Sequence, residues 1–243
     1  PPGADRRAWH GGVGRLEHRR NPPEREQIML SAALFDFDGT LVDTTELIYQ
    51  SLRHATSDVL GRDDIPRETI MANVGTPMPR QMEIIDPNRV DELLESYFAF
   101  NKREHDTYIN DFPNVDGSLA RLREAGVKIA VVTSKRRSAV EMAFESFPTL
   151  RELTDTFVTM EDTTEHKPNP EPLLKGLELL GDVPKDEAAY IGDSPHDIEA
   201  ARAAGLRSVG VSWGSFSEES LRAAGPDHLS SDLDGVVDVL LKL

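Results

Sequence analysis

The chain has 243 residues, 38% of them hydrophobic and 29% charged, with a net charge of −16. That is enough for one large α/β domain or a core with a smaller insert, and the acidic balance argues against broad nucleic-acid binding, which rewards clustered Lys and Arg. With no cysteine, a disulfide framework, a thiolate nucleophile and a cysteine-held zinc are excluded; no stretch approaches the roughly 20 apolar residues of a membrane helix, so a cytoplasmic protein without a membrane partner is expected.

Residues 1–30 are rich in Pro, Gly, Arg and Glu, lack periodicity and read as a flexible tail. Residues 31–37 (SAALFDF) are a short apolar run stopping at acidic residues and Gly39, the pattern of a buried strand that ends in a tight turn. From 44 to about 110 the pattern is helical, with stops near Gly61, Pro66, 75–79 and Pro87, and with Leu93, Leu94, Tyr97, Phe98 and Asn101 at helical spacing. An all-helical insert over 43–111 is expected, dividing a core made of 31–42 and 112–243. After Pro113 the elements alternate: helix 117–125, strand 127–133 (VKIAVVT), helix 138–147, a weaker strand 156–160 and helix 171–180. Strand 188–191, helix 195–204, strand 207–211, helix 217–223, a short strand 228–229 and helix 233–241 complete the chain. Such alternation predicts an α/β, Rossmann-like three-layer core, a mostly parallel sheet with helices on both faces, whose ligands sit beyond the carboxyl ends of the strands.

The residues after each strand carry the chemistry. Asp36-Phe37-Asp38-Gly39-Thr40 follow the first strand and Thr133-Ser134-Lys135 follow VKIAVV. His166-Lys167-Pro168-Asn169-Pro170 precede the helix at 171, and Gly192-Asp193-Ser194-Pro195-His196-Asp197 follow the strand at 188. Acidic, hydroxyl and lysine groups thus converge on one sheet edge. Phosphoryl transfer asks for such a set, because charge on the equatorial oxygens has to be met by positioned cations and donors. Grouped carboxylates repel one another unless a divalent cation lies between them, and an oxygen-only ligand set favours Mg²⁺ over zinc. A carboxylate nucleophile splits the displacement through an acyl phosphate. An acid two residues on can protonate the leaving oxygen and later deprotonate water.

DFDGTLVD, VVTSK, HKPNPEP and GDSPHD, in this order between Ala33 and Asp197, resemble the four motifs of the haloacid dehalogenase superfamily. The resemblance implies Asp36 as nucleophile and metal ligand, and Asp38 as general acid/base with a metal-ligating carbonyl. It implies Thr133 on the phosphate, Lys167 on the aspartyl phosphate and Asp193 on Mg²⁺. Asp197 would support the metal shell through water or Lys167. Gly39 would let the chain turn sharply beneath the pocket, and Gly39 and Thr40 are candidate substrate contacts. The insert resembles the helical cap that closes over the site and selects the substrate. The acid at Asp38 argues against the dehalogenases of the superfamily, which lack it.

DGTLVDTTELIYQS, YFAFNKREHD, VVTSKRR, EHKPNPEPLLKGLELL and GVSWGS are further similar to the bacterial phosphoglycolate phosphatase and inorganic pyrophosphatase branch. The implied activity is Mg²⁺-dependent hydrolysis of a small anionic phosphorylated substrate, phosphoglycolate-like, through an aspartyl phosphate. Inorganic pyrophosphate is the alternative, and a sugar-phosphate mutase or a non-catalytic scaffold are more distant ones. Ser134, Lys135 and Arg136 read either as the solvated start of a helix or as contacts to the substrate and its second anionic group. Thr76, Arg80, Asn101 and His105 in the insert read either as structural groups or as substrate contacts. No feature decides between monomer and homodimer.

Overall fold

The computed structural model describes residues 30–242. The tail expected over 1–30 lies outside them except for Leu30, which packs against the core. β1 (Ala32–Phe35) leads through a tight loop to the two-residue β2 (Val42–Asp43). Four helices follow: α1 (Thr45–Leu60), α2 (Arg67–Met71), α3 (Met78–Ile85) and α4 (Val90–Tyr108). β3 (Asn110–Asp111) returns the chain, and α5 (Val115–Glu124), β4 (Lys128–Val132), α6 (Arg137–Ser146), α7 (Pro148–Leu153) and β5 (Thr156–Val158) come next. The remainder is α8 (Glu171–Leu179), β6 (Ala188–Gly192), α9 (Pro195–Ala204), β7 (Arg207–Val211), α10 (Glu218–Ala224), β8 (His228–Ser230) and α11 (Leu233–Leu240).

Six strands form one sheet in the order β5-β4-β1-β6-β7-β8, and every neighbouring pair is parallel. Strand side chains alternate between faces, and here both faces are covered. Ala33, Phe35, Ile129, Val131, Ala189 and Ile191 join one apolar cluster with α5, α6 and α11. Ala32, Leu34, Ala130, Val132, Ala188 and Tyr190 join a second with α8 and α9. This two-sided burial is why the strands are nearly continuous apolar runs rather than alternating ones. β1 is in the middle of the sheet, so whatever follows Phe35 emerges at its centre.

The helical segment has its own apolar cluster, in which Ile48, Leu52 and Ala55 of α1 meet Met82 of α3 and Leu93 and Tyr97 of α4. The two passages between this segment and the sheet run side by side, since β2 and β3 pair antiparallel with Val42 opposite Asp111 and Asp43 opposite Asn110.

Several boundaries differ from the sequence reading. The β2–β3 ladder is too short to leave a periodic signal. α7 was not expected. Its Pro148 occupies the first helical turn, where the missing N–H costs nothing, so the proline starts a helix rather than ending one. The strand expected over 156–160 stops at Val158, because the Thr159 and Asp162 side chains form a capping box that begins a short 3₁₀ turn. α5 starts at Val115, with Asn114 in the left-handed region (φ 59°).

α8 approaches the sheet through Gly176, where an added Cβ would lie 2.8 Å from Leu34 Cδ2 and 3.0 Å from Val132 Cγ2. Both partners are fully buried. Gly176→Ala is therefore expected to lower stability by about 1 kcal/mol or more in urea unfolding, overpacking outweighing the gain in helix propensity.

Candidate active site

Asp36 is the first residue beyond β1, and its N–H still donates to Ile191 O at 2.8 Å, so the sheet fixes its position. The chain then doubles back, with Gly39 N–H donating to Val42 O at 2.9 Å and Leu41 N–H to Phe37 O at 3.0 Å. Gly39 has φ +75°, and a Cβ there would meet Asp193 Oδ2 at 2.3 Å. Gly214, on the loop after β7, faces Asp193 from another side, where a Cβ would fall 2.2 Å from the same oxygen. Backbone closes in on Asp193 where a side chain would not fit. Its Oδ2 also accepts the Ser215 N–H at 2.6 Å.

Lys167 is 4% exposed. Its ammonium donates to Asp197 Oδ1 at 2.7 Å and to Tyr190 OH at 2.9 Å, and pairs with Asp36 Oδ1 at 2.9 Å. The Tyr190 hydroxyl in turn lies 2.9 Å from Val132 O. Asp197 sits in the first turn of α9, where its Oδ2 accepts from Ser194 N–H at 3.0 Å and Ser194 Oγ at 2.7 Å. Ser194 and Asp197 thereby form the capping box that starts the helix.

Asp36, Asp193 and Asp197 each offer an oxygen within 4.8 Å of the others, and all three are buried. Both Asp197 oxygens already accept donors, which leaves Asp36 and Asp193 as the carboxylates with free capacity. Burial, with Asp197 and Asp38 adding to it, pushes the Asp36 carboxyl up to about 7 against the pull of Lys167. Burial also drives Asp193 well above the usual carboxylate range, and Asp197 and Asp36 add to the shift. Burial disfavours the Lys167 ammonium, but Asp197 and Asp36 outweigh it and keep the amine protonated. One ammonium against three carboxylates leaves the group two positive charges short. A divalent cation with oxygen preference fits that deficit and that donor set.

Asp38 stands apart from this group. Its Oδ1 accepts from Thr44 Oγ1 and from Lys135 Nζ, both at 2.7 Å. Thr133 follows β4, and its Oγ1 accepts the Lys135 N–H at 3.2 Å. Ser134 Oγ is buried without a partner among the described residues. The Arg136 guanidinium lies 4.1 Å over the Phe98 ring of α4.

One cavity of about 70 Å³ joins these groups, bounded by the strand ends below and the helical segment above. Asp36, Asp38, Thr133, Lys167 and Asp193 line it, as do Ser134, Lys135 and Arg136. From the helical segment, Thr76 reaches it together with Gln81, Tyr97 and Asn101. Asp197 does not line it, nor do Gly39, Thr40, His105 and Arg80, all selected from the sequence. Gly39 lies behind Asp193 rather than facing the cavity. Thr40 is fully buried, its carbonyl accepting from Trp213 Nε1 at 3.1 Å. His105 is 2% exposed, with Nδ1 2.8 Å from Asp106 Oδ1, on the last turns of α4 away from the cavity. Arg80 pairs with Glu83 at the surface. The sequence reading missed Tyr190, Gly214, Gln81 and Tyr97. Tyr190 reads as an ordinary strand residue, and nothing in one sequence marks which inward strand hydroxyl meets a lysine.

The profile of haloacid dehalogenase-like hydrolases matches residues 33–211. The chain belongs to this family. A relative from Caldanaerobacter subterraneus subsp. tengcongensis, named "putative pyrophosphatase PpaX", is 40% identical over 84% of this chain and 91% of its own. The pyrophosphatase PpaX of Anoxybacillus flavithermus is 35% identical over 87% of this chain and 97% of its own. Among solved structures, a "putative phosphoglycolate phosphatase" from Lactobacillus delbrueckii subsp. bulgaricus superimposes with a TM-score of 0.79 at 25% identity, covering 88% of this chain and 99% of that one. The parallel sheet with a helical cap inserted after the first strand is the fold of this hydrolase family.

Raised carboxyl pKa values make the acidic group a pH-dependent burden on the metal-free fold. Asp36 binds its proton more tightly in the native state (about 7) than in an unfolded chain (about 3.9). Its contribution to stability is therefore full below pH ~4 and lost as pH rises toward 7. Asp193 shifts in the same direction. In EDTA at pH 7.5, Asp193→Asn is expected to melt higher than the parent, by an amount on the order of 1–2 kcal/mol. The difference should shrink toward pH 4. Added Mg²⁺ should raise the Tm of the parent more than that of the variant.

Proposed function

We propose that this hydrolase is a Mg²⁺-dependent phosphohydrolase that passes a phosphoryl group from a small anionic substrate to Asp36 and then to water. The observation that carries this reading is the buried Lys167 ammonium shared by Asp36 and Asp197, with Asp193 beside them at the same cavity. Asp36 attacks phosphorus while Asp38 protonates the leaving oxygen, and Asp38 then takes a proton from the water that cleaves the aspartyl phosphate. Thr133 and Ser134 donate hydroxyl hydrogens to the phosphoryl oxygens. Lys167 neutralises charge on Asp36 and on the group it carries, and Asp197 holds Lys167 in place. Asp36, Asp193 and the Asp38 carbonyl would hold Mg²⁺, which supplies positive charge for the phosphoryl oxygens.

Residues 43–111 act in this reading as a cap over a core of 31–42 and 112–243, with the β2–β3 ladder as the joint. Closure of the cap excludes water from the reacting group. The cavity of about 70 Å³ is room for only a few water molecules, since one needs roughly 10–15 Å³ on this measure. That supports a small substrate and an opening of the cap to admit it. The motifs alone favour a phosphoglycolate-like monoester. The names of the relatives favour inorganic pyrophosphate, which we place first, with phosphoglycolate second. A cytoplasmic location belongs to the same reading.

Phosphate release from pyrophosphate, phosphoglycolate and several sugar phosphates, with and without Mg²⁺, tests this function. Pyrophosphate is expected to be the best substrate. Asp36→Asn should lower kcat at least roughly 1,000-fold. Full activity in that variant, or turnover in excess EDTA, would remove Asp36 or the cation from the mechanism.

A further inference from the structure

Lys135 has two competing demands on one ammonium. Its side chain is 10% exposed and donates to Asp38 Oδ1 at 2.7 Å, the oxygen that also accepts from Thr44 Oγ1 at 2.7 Å. It also faces the cavity, next to Ser134 Oγ, which is buried with no partner among the described residues, and to Arg136. Arg136 has no carboxylate partner among the described residues and rests on Phe98 instead. Of the two cations at the cavity wall beyond Lys167, then, the one attached to the proton-donating carboxylate is Lys135.

We propose that Lys135 makes the site select phosphoanhydrides over simple monoesters, by exchanging Asp38 for the charged leaving phosphoryl group of the substrate. This rests on the phosphohydrolase reading above and names the substrate feature that the site reads. When Asp36 attacks, the leaving oxygen must lie near Asp38 to receive its proton, and therefore near Lys135. In pyrophosphate that oxygen belongs to a second phosphoryl group, whose charged oxygens are on the same phosphorus atom. In an aryl phosphate the leaving group carries no second charge, so the Lys135–Asp38 pair has no competitor.

The step balances without any further reagent. The anhydride P–O bond breaks, its electron pair goes to the departing phosphate together with the proton that Asp38 took from water in the preceding turnover, and the Asp36 O–P bond forms. Lys135 neutralises the charge that grows on the departing phosphate, and Asp38, released from the lysine, is held by Thr44 alone and is free to turn toward the leaving oxygen. Water then adds to phosphorus, the acyl-phosphate bond returns its electron pair to Asp36, and Asp38 takes the proton. Because the charge on the leaving group grows in the transition state, Lys135 acts on kcat more than on KM.

The test uses the full chain in Mg²⁺ with pyrophosphate and p-nitrophenyl phosphate as paired substrates. Lys135→Met is expected to lower kcat/KM for pyrophosphate about 30-fold or more, a loss seen mainly in kcat, and to lower that for the aryl phosphate, where Asp38 also loses its partner, by a factor about tenfold smaller. Lys135→Arg, which keeps the charge, should recover a large part of the pyrophosphate activity. Thr44→Val touches Asp38 alone and should affect both substrates by the same factor. Equal losses on both substrates in Lys135→Met would mean that the lysine serves only Asp38, and no loss would mean that it serves neither; both overturn the proposal while leaving the phosphohydrolase intact. A parent enzyme that cleaves neither substrate but releases phosphate from phosphoglycolate would also overturn the proposal alone, whereas an Asp36→Asn variant that cleaves both would overturn the underlying function.

Discussion

Carboxylates from separate stretches of chain meet around a single buried ammonium, and the arrangement at the end of the sheet follows from the need to neutralise them. Asp36 comes from the end of β1, Asp197 from the first turn of α9 and Lys167 from the loop before α8, yet the Lys167 ammonium bonds both acids within 2.9 Å. Taking such charges out of water costs several kcal/mol per ion unless geometry and hydrogen bonds are nearly complete. They are complete for Lys167 and Asp197, and incomplete for Asp36 and Asp193. The shortfall is concentrated on the two carboxylates that face the cavity. This is where a cation and a phosphoryl group would complete the set.

Elements that look purely structural serve this electrostatic centre. Tyr190 belongs to the apolar face of β6, but its hydroxyl bridges Lys167 and the Val132 carbonyl, tying the cluster to the middle of the sheet. The capping box of α9 holds Asp197 by one oxygen and leaves the other for Lys167. Helix initiation and charge placement therefore share one side chain. Close backbone approach at Gly39 and Gly214 packs Asp193 between two loops and limits its rotamers, so its position depends on residues that have no side chains of their own.

The helical segment contributes a different kind of surface. Its own apolar cluster makes it a packed unit joined to the sheet by a two-residue ladder, while its face toward the cavity mixes Tyr97 and Phe98 with Thr76, Gln81 and Asn101. Gln81 donates to the Thr76 carbonyl at 2.8 Å and leaves its Oε1 buried with no donor. Phe98 receives the Arg136 guanidinium from the core side. Contacts of this weight, about 1 kcal/mol each, suit the proposed role of a cap that separates and closes again, in contrast to the tightly bonded cluster below it.

The sequence determined the sheet and the four motif segments, because strands buried on both faces leave uninterrupted apolar runs and the polar residues after them stand out against those runs. Asp36, Asp38, Thr133, Lys167, Asp193 and Asp197 stood out as candidates for that reason. Helical periodicity with Gly and Pro stops marked the helices between β2 and β3, but a two-residue ladder and a proline-started helix carry no period to read. The tertiary structure alone decided which side chains beyond the motifs face the cavity. His105 and Asn101 are both polar residues on α4, one turn apart, yet only Asn101 lines it. It also decided that Lys135 is bound to Asp38, that Tyr190 supports Lys167, and that Gly214 presses on Asp193. These contacts join residues 23 and 97 positions apart or lie across separate loops, and a sequence read in order records composition and local period but not distance across the fold.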